Sequence, residues 1–209
     1  IRRKTYFLLF YLDNSFYFDI NSIKDRFMKL EECIVVLNNI VKQDFIDIII
    51  KYIDKKATGK MSTVGGLKED TRNVYGHSLR KDNVSDKIFF RHIDHVIKDH
   101  YTHYKVKFPC ISPEKIAQID LLKYTHGGKY EIHTDESAKC WRTLTCILNL
   151  NEEYEGGDFV VYAQDGKTEM KRIKCKTGTC IMFPSNFLFP HRVEPITSGE
   201  RYSIVTWLT

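Results

Sequence analysis

His133, Asp135, His191 and Arg201 are the residues of this 209-residue chain whose types and spacing could do chemistry. On an extended strand residues i and i+2 project to the same face, so His133 and Asp135 can bind one ion together. His191 must then arrive from a distant strand. Two neutral imidazole nitrogens and one carboxylate form a set that holds a divalent iron and leaves one side of it open to water, an oxidisable cosubstrate and O₂. Arg201 adds a planar, permanently charged fork that suits the far carboxylate of a dicarboxylic cosubstrate. These residues point to oxygen activation at a non-haem iron.

A His-x-Asp pair alone is a weak signal, because such pairs arise by chance and most histidines are structural. The flanking sequence strengthens it. Tyr124 and Tyr130 precede the pair, with Gly127-Gly128 between them. Gly156-Gly157-Asp158-Phe159 opens a later strand, Gly178 to Pro184 reads as another, and His191 to Trp207 closes the domain. In this combination residues 33 to 209 resemble the 2-oxoglutarate- and Fe(II)-dependent dioxygenases, and within them the prolyl 4-hydroxylase-like branch.

The resemblance implies a role for each residue at a matching position. His133, Asp135 and His191 would ligate Fe(II), Arg201 would hold the C5 carboxylate of 2-oxoglutarate, and Tyr124 would help to hold that cosubstrate. Tyr130, Arg142 and Trp207 match positions that line the substrate groove. The implied reaction consumes O₂ and 2-oxoglutarate, releases succinate and CO₂, and hydroxylates a peptidyl proline, with ascorbate as a candidate reductant. The alternatives are the same chemistry on a lysyl residue, a free amino acid or another small molecule, and a catalytically silent β-helix binding module. Two departures stand out. Many prolyl 4-hydroxylases carry lysine where Arg201 stands, and Asn149 replaces a cosubstrate-binding tyrosine found in some relatives. Each role also has a structural counterpart: Arg201 in a surface ion pair, Tyr124 and Trp207 in the core, Arg142 paired with a nearby acid.

The elements that must position these residues can be read from periodicity. Cys33 to Leu37 is a short apolar run. Phe45, Ile48, Ile49, Tyr52 and Ile53 recur at helical spacing and predict a helix over 42–56, and Ile88, Phe89, Ile93, Val96 and Ile97 predict a second over 84–104. The histidines of that second helix, His92, His95, His100 and His103, are spread round it and are not expected to bind metal. Residues 57–82, rich in Gly, Ser, Thr, Asn and charge, read as a long loop of the kind that serves as a lid or binding segment. After Pro113 eight strands follow, at 115–124, 129–134, 142–150, 158–162, 168–174, 179–183, 191–195 and 201–208. Eight such strands suit a jelly roll. The expected fold is α+β and mainly β, a double-stranded β-helix (jelly-roll) core buttressed by the two N-terminal helices. Alternation from Arg201 places Ser203, Val205 and Trp207 on its face, and Gly156-Gly157 is expected to form a turn or bulge.

Composition sets the outer bounds. With 43% hydrophobic and 28% charged residues the chain is an ordinary globular protein. Its net charge of +5 is spread among acids rather than gathered in a stripe, so no nucleic acid is expected as a partner. Six cysteines lie without a Cys-x-x-Cys pair, which fits reduced thiols better than a disulfide framework. Cys140 and Cys146 flank a strand beside the expected iron site and are candidates for oxidation. The run from Tyr6 to Leu12 after Arg2-Arg3-Lys4 is too short to span a bilayer and reads as a packed strand or hairpin. No membrane partner is expected, and the expected compartment is cytoplasmic, with a secretory one as the alternative. The first methionine is Met28, so residues 1–27 read as an N-terminal extension and 28–209 as the dioxygenase domain.

Overall fold

The computed structural model describes residues 6–8, 17–19, 28–63, 66–113, 115–136 and 141–209. The chain divides into two units, Ile1–Glu32 and Cys33–Thr209. In the first, β1 (Tyr6–Leu8) pairs antiparallel with β2 (Tyr17–Asp19), with Phe7 opposite Phe18. A strand was expected from Tyr6; residues 9–12 of that run lie outside the described residues.

The second unit carries two larger antiparallel sheets. One has seven strands in the order β3 (Val35–Leu37), β13 (Cys180–Pro184), β9 (Leu144–Asn149), β16 (Arg201–Leu208), β7 (Ile116–Tyr124), β6 (Tyr75–Ser78) and β4 (Gly59–Lys60). The other has five, β12 (Glu169–Ile173), β11 (Phe159–Tyr162), β14 (His191–Val193), β8 (Lys129–His133) and β5 (Arg72–Asn73). Phe159 of the second sheet meets Phe183 of the first, with ring centroids 5.5 Å apart. The core is a jelly roll, and all eight expected strands are present with bounds shifted by a residue or two. A separate pair, β10 (Tyr154–Gly156) and β15 (Ile196–Gly199), was not foreseen, because segments this short show no alternation. A bulge interrupts that pairing between Glu155 and Gly156, and Gly156 and Gly157 take φ of 74° and 65°. Only glycine adopts such angles without strain, so the expected turn or bulge is where the sequence placed it.

The expectation of a long loop over 57–82 needs correction. Three short strands lie there, β4 and β6 extending the seven-stranded sheet and β5 the five-stranded one. Their residues are too polar to signal strands; hydrogen bonds from β4 to β6, β6 to β7 and β5 to β8 hold them extended.

Two helices cover one face of the seven-stranded sheet. In α1 (Gln43–Lys56), Ile46, Ile49 and Ile53 are buried at 3- and 4-residue spacing, and Lys55 and Lys56 complement the negative end of the helix dipole. In α2 (Val84–Lys107), the Asn83 side chain caps the start by accepting from the Asp86 amide at 3.1 Å, and Ile93, Ile97, Tyr101 and Tyr104 are buried. Burying each aliphatic side chain contributes roughly 1.5–3 kcal/mol. Against them pack Ile119 and Leu121 of β7, Tyr202, Ile204 and Leu208 of β16, Cys146 and Leu148 of β9, and Met182 of β13. Ile48 and Ile88, expected on the packing faces, stay 57% and 64% exposed. Among the described residues no helix is long and apolar enough to cross a membrane.

Cys146 therefore points away from the expected iron site, into the helix-packed core. Burial pushes its thiol well up and that of Cys180 up to about 12, so neither is a ready thiolate for oxidation. Cys140 lies outside the described residues.

Candidate metal centre

Strands β8 and β14 are neighbours, and their register sets His133 directly opposite His191. The chain leaves β8 just after His133, and Asp135 folds back beside it. The three side chains each offer one donor atom within 4.8 Å of the others. His133 Nε2 lies 3.8 Å from one Asp135 oxygen and His191 Nε2 lies 3.6 Å from the other, while the two rings meet edge to face with centroids 4.2 Å apart.

Each imidazole is oriented by its own chain. His133 Nδ1 donates to the Glu131 carbonyl at 2.8 Å, and His191 Nδ1 donates to the Phe189 carbonyl at 3.0 Å. A ring nitrogen facing a carbonyl must carry the proton, so in the neutral tautomer of each ring the lone pair lies on Nε2. Burial and the neighbouring His191 hold the His133 imidazole well below its usual range, which keeps it neutral. Burial alone would raise the Asp135 carboxyl, but the His191 and His133 rings and the Thr145 hydroxyl hold it below the usual range. Thr145 Oγ1 donates to Asp135 Oδ2 at 2.7 Å and lies 2.9 Å from Ser185 Oγ. Two imidazole nitrogens, one carboxylate and a buried supporting hydroxyl form a donor set that fits Fe(II).

Arg201 lies inside the fold, opposite Tyr124 in the β16–β7 register and only 1% exposed. Its Nη1 donates to Ser203 Oγ at 3.2 Å, whereas Nε and Nη2 are buried with no hydrogen-bond partner. Among the described residues Arg201 has no ion pair, so the structural alternative of a surface ion pair is not met. A permanent cation with two unsatisfied donors is costly in such surroundings unless an anion arrives to meet it. Tyr124, 2% exposed, sits with its ring 5.2 Å from the guanidinium carbon. A Cβ on Gly157 would come 3.2 Å from Arg201 Cδ, so that glycine also leaves room for the arginine stem. Asn149 Nδ2 donates to the carbonyl of Asn151, and the Tyr154 hydroxyl donates to Asn149 Oδ1 at 3.3 Å.

The cavity beside the donors is lined by His133, Asp135, His191, Tyr124, Tyr130 and Trp207, by the apolar side chains of Leu122, Ile147, Phe159, Val193 and Val205, and by Arg72. Tyr130 stacks on His133, with centroids 3.5 Å apart. Trp207 is 5% exposed with its Nε1 buried and unpaired, and Arg142 stacks over it at 3.8 Å. Arg142 Nη1 donates to the Asp135 carbonyl at 3.2 Å. The structure thus brings all eight expected site residues into one region. Two others were missed. Thr145 could have been found by stepping back in twos from Asn149 along its strand. Arg72 lies in the 57–82 segment, read from sequence as a lid or binding loop, with no motif to single it out.

Residues 119–209 match the family model described as the 2OG-Fe(II) oxygenase superfamily. A PKHD-type hydroxylase of Alteromonas mediterranea is 32% identical over 106 residues, which cover 46% of this chain and 45% of that protein. Among solved structures, a prolyl hydroxylase from Trichoplax adhaerens in complex with a peptide fragment of the oxygen degradation domain of hypoxia inducible factor superposes with a TM-score of 0.69 at 15% identity, covering 84% of this chain and 82% of that one. A prolyl-4-hydroxylase from Pseudomonas putida gives a TM-score of 0.65 at 17% identity, covering 84% and 91%. At such identities the structural likeness speaks for the fold. The chain spans less than half the length of the first curated relatives it matches, 45% and 43%.

Proposed function

We propose that the chain is a member of the 2OG-Fe(II) oxygenase superfamily, prolyl 4-hydroxylase-like within it, and that it hydroxylates a peptidyl proline, consuming 2-oxoglutarate and O₂. Bound Fe(II) supplies the oxidising chemistry, with succinate and CO₂ as the products of the cosubstrate. His133 Nε2, His191 Nε2 and the Asp135 carboxylate would hold the iron. Arg201 would hold the distal carboxylate of 2-oxoglutarate, with Tyr124 beside it. The lining of Ile147, Phe159, Val193 and Val205 keeps the centre dry, which strengthens each charge interaction within it. Tyr130, Arg142 and Trp207 would face the peptide.

The observation that carries this reading is the buried, half-unpaired guanidinium of Arg201 beside a three-donor cluster with two fixed Nε2 lone pairs. A silent binding module has no physical reason to keep a cation in that state. The peptide substrate draws on the relatives, whose names specify prolyl hydroxylases. Buried free thiols at Cys146, Cys175 and Cys180 suit a reducing compartment, for which the cytoplasm is our assignment.

The test is an anaerobic titration of the apoprotein with Fe(II) and 2-oxoglutarate, followed by O₂, with ascorbate present as reductant. We expect a weak visible charge-transfer band that decays as succinate forms. A folded protein giving neither band nor succinate would overturn the assignment.

A further inference from the structure

Among the described residues, two arginines beside the cavity have no carboxylate to answer them. Arg72 lies over the Tyr130 ring, its guanidinium carbon 4.7 Å from the centroid, and its Nη1 donates to the Ser62 carbonyl at 2.9 Å. Arg142 lies over Trp207 and donates to the Asp135 backbone carbonyl. Both bonds go to neutral acceptors, and the Nε of each is buried without a partner. Among the described residues neither guanidinium has an acid within 4.0 Å. Among the described arginines away from the cavity, Arg80, Arg172 and Arg192 each have at least one, and Arg91, which has none, is exposed to water on α2.

The charge of the centre does not supply the missing partner. Fe(II), Asp135, 2-oxoglutarate and Arg201 are together formally neutral, and the two imidazoles add nothing. The charges of Arg72 and Arg142 are left over. The aromatic faces beneath them offset part of the loss of water through the ring quadrupole, but a stacked guanidinium keeps its in-plane N–H fork free for a carboxylate. Arg72 lies over the ring that stacks on the iron ligand His133, and Arg142 lies over Trp207 in the lining of the same cavity.

We propose that Arg72 and Arg142 read an anion on the substrate, and that the substrate is an acidic peptide with an Asp or Glu carboxylate beside the residue to be hydroxylated. The inference rests on the peptidyl hydroxylase reading above. It assigns to the 57–82 segment a definite task, the delivery of Arg72 to the cavity by pairing β5 opposite Tyr130.

Three synthetic peptides that differ only in the residues flanking a single proline, Glu, Gln or Lys, provide the test with the iron-loaded enzyme. Hydroxylation is read by mass and 2-oxoglutarate consumption by succinate. The Glu peptide should exceed the Gln peptide in kcat/KM by about tenfold to a hundredfold, the worth of one or two charge-assisted hydrogen bonds. The Lys peptide should be slowest, and the spread should narrow in high salt. Arg72→Gln and Arg142→Gln should each bring the Glu/Gln ratio toward one, and Arg72→Glu should favour Lys over Glu. Because each ratio is taken within one variant, a general loss of activity cancels. A wild-type ratio near one, or a ratio that neither variant changes, overturns the inference while leaving the hydroxylase reading intact. A raised KM for 2-oxoglutarate in Arg72→Gln with an unchanged ratio overturns it too, by assigning the arginine to the cosubstrate. If 2-oxoglutarate is consumed but none of the three peptides is hydroxylated, the peptide reading itself fails and takes the inference with it.

Discussion

The two faces of the seven-stranded sheet are built from alternate residues of the same strands, yet they follow opposite rules. On the helix-covered face, Leu121, Ile204, Leu148 and Met182 pack against α1 and α2, and polar groups there are paired: Tyr104 donates to the Cys33 carbonyl, Thr206 to the Gln118 carbonyl, and the Tyr202 hydroxyl shares its one proton between Asp54 and Glu200. On the inner face Arg201 and Trp207 leave donors buried and unanswered. One face is closed to any further partner, and the other is incomplete by itself. Stability should therefore depend mostly on the first and turnover on the second.

The largest separation of the two should come from the metal donors. His133→Ala or Asp135→Ala should abolish Fe(II)-dependent succinate formation and leave the melting temperature of the apoprotein nearly unchanged, because a donor at the cavity contributes little to packing. Arg201→Leu should raise the KM for 2-oxoglutarate by about 10²- to 10³-fold, as expected for a lost buried ion pair. It should not lower apoprotein stability in urea, since it removes an uncompensated charge. On the other face Ile49→Ala or Ile97→Ala should cost about 2–5 kcal/mol in the same unfolding experiment, with kcat per folded molecule unchanged. A reversal of these last two results would break the comparison.

Two smaller effects sharpen it. Thr145→Val deletes the hydrogen bond on Asp135 and should weaken Fe(II) affinity roughly 10- to 100-fold, measured by competition with a chelator. Asp86, at the start of α2, shows what full pairing means for a charge. Burial pushes its carboxyl up, but the Tyr52 hydroxyl, the His77 ring and the Arg80 amide outweigh this and hold it below the usual range. A depressed carboxyl stabilises the fold above its unfolded pKa of about 3.9, and that contribution is lost as pH falls through the lower folded value. Asp86→Asn should therefore flatten the acid side of the stability profile and leave succinate formation at neutral pH unaltered.

Most of the jelly roll was legible because its strands alternate, and the donors were legible because His-x-Asp on a strand has a geometric meaning. The helix faces were only partly so. Apolar residues lie on more than one side of α1 and α2, and it is the sheet that decides that Ile46 is covered while Ile48 is not. The strands within 57–82 carry Arg72-Asn73 and Tyr75-Gly76-His77-Ser78, which have no apolar period; neighbouring strands impose their conformation. Arg72 was invisible for the same reason, since nothing local marks an arginine whose importance is that no acid faces it. Thr145 needed only the alternation already applied to Arg201, Ser203, Val205 and Trp207.

Both histidine rings are held by the carbonyl two residues before them in the chain, Glu131 for His133 and Phe189 for His191. Their aim is thus a property of short stretches of backbone, set before any ion is present. An incoming ion meets rings whose orientation is already held, so little of its binding free energy is spent on ordering them.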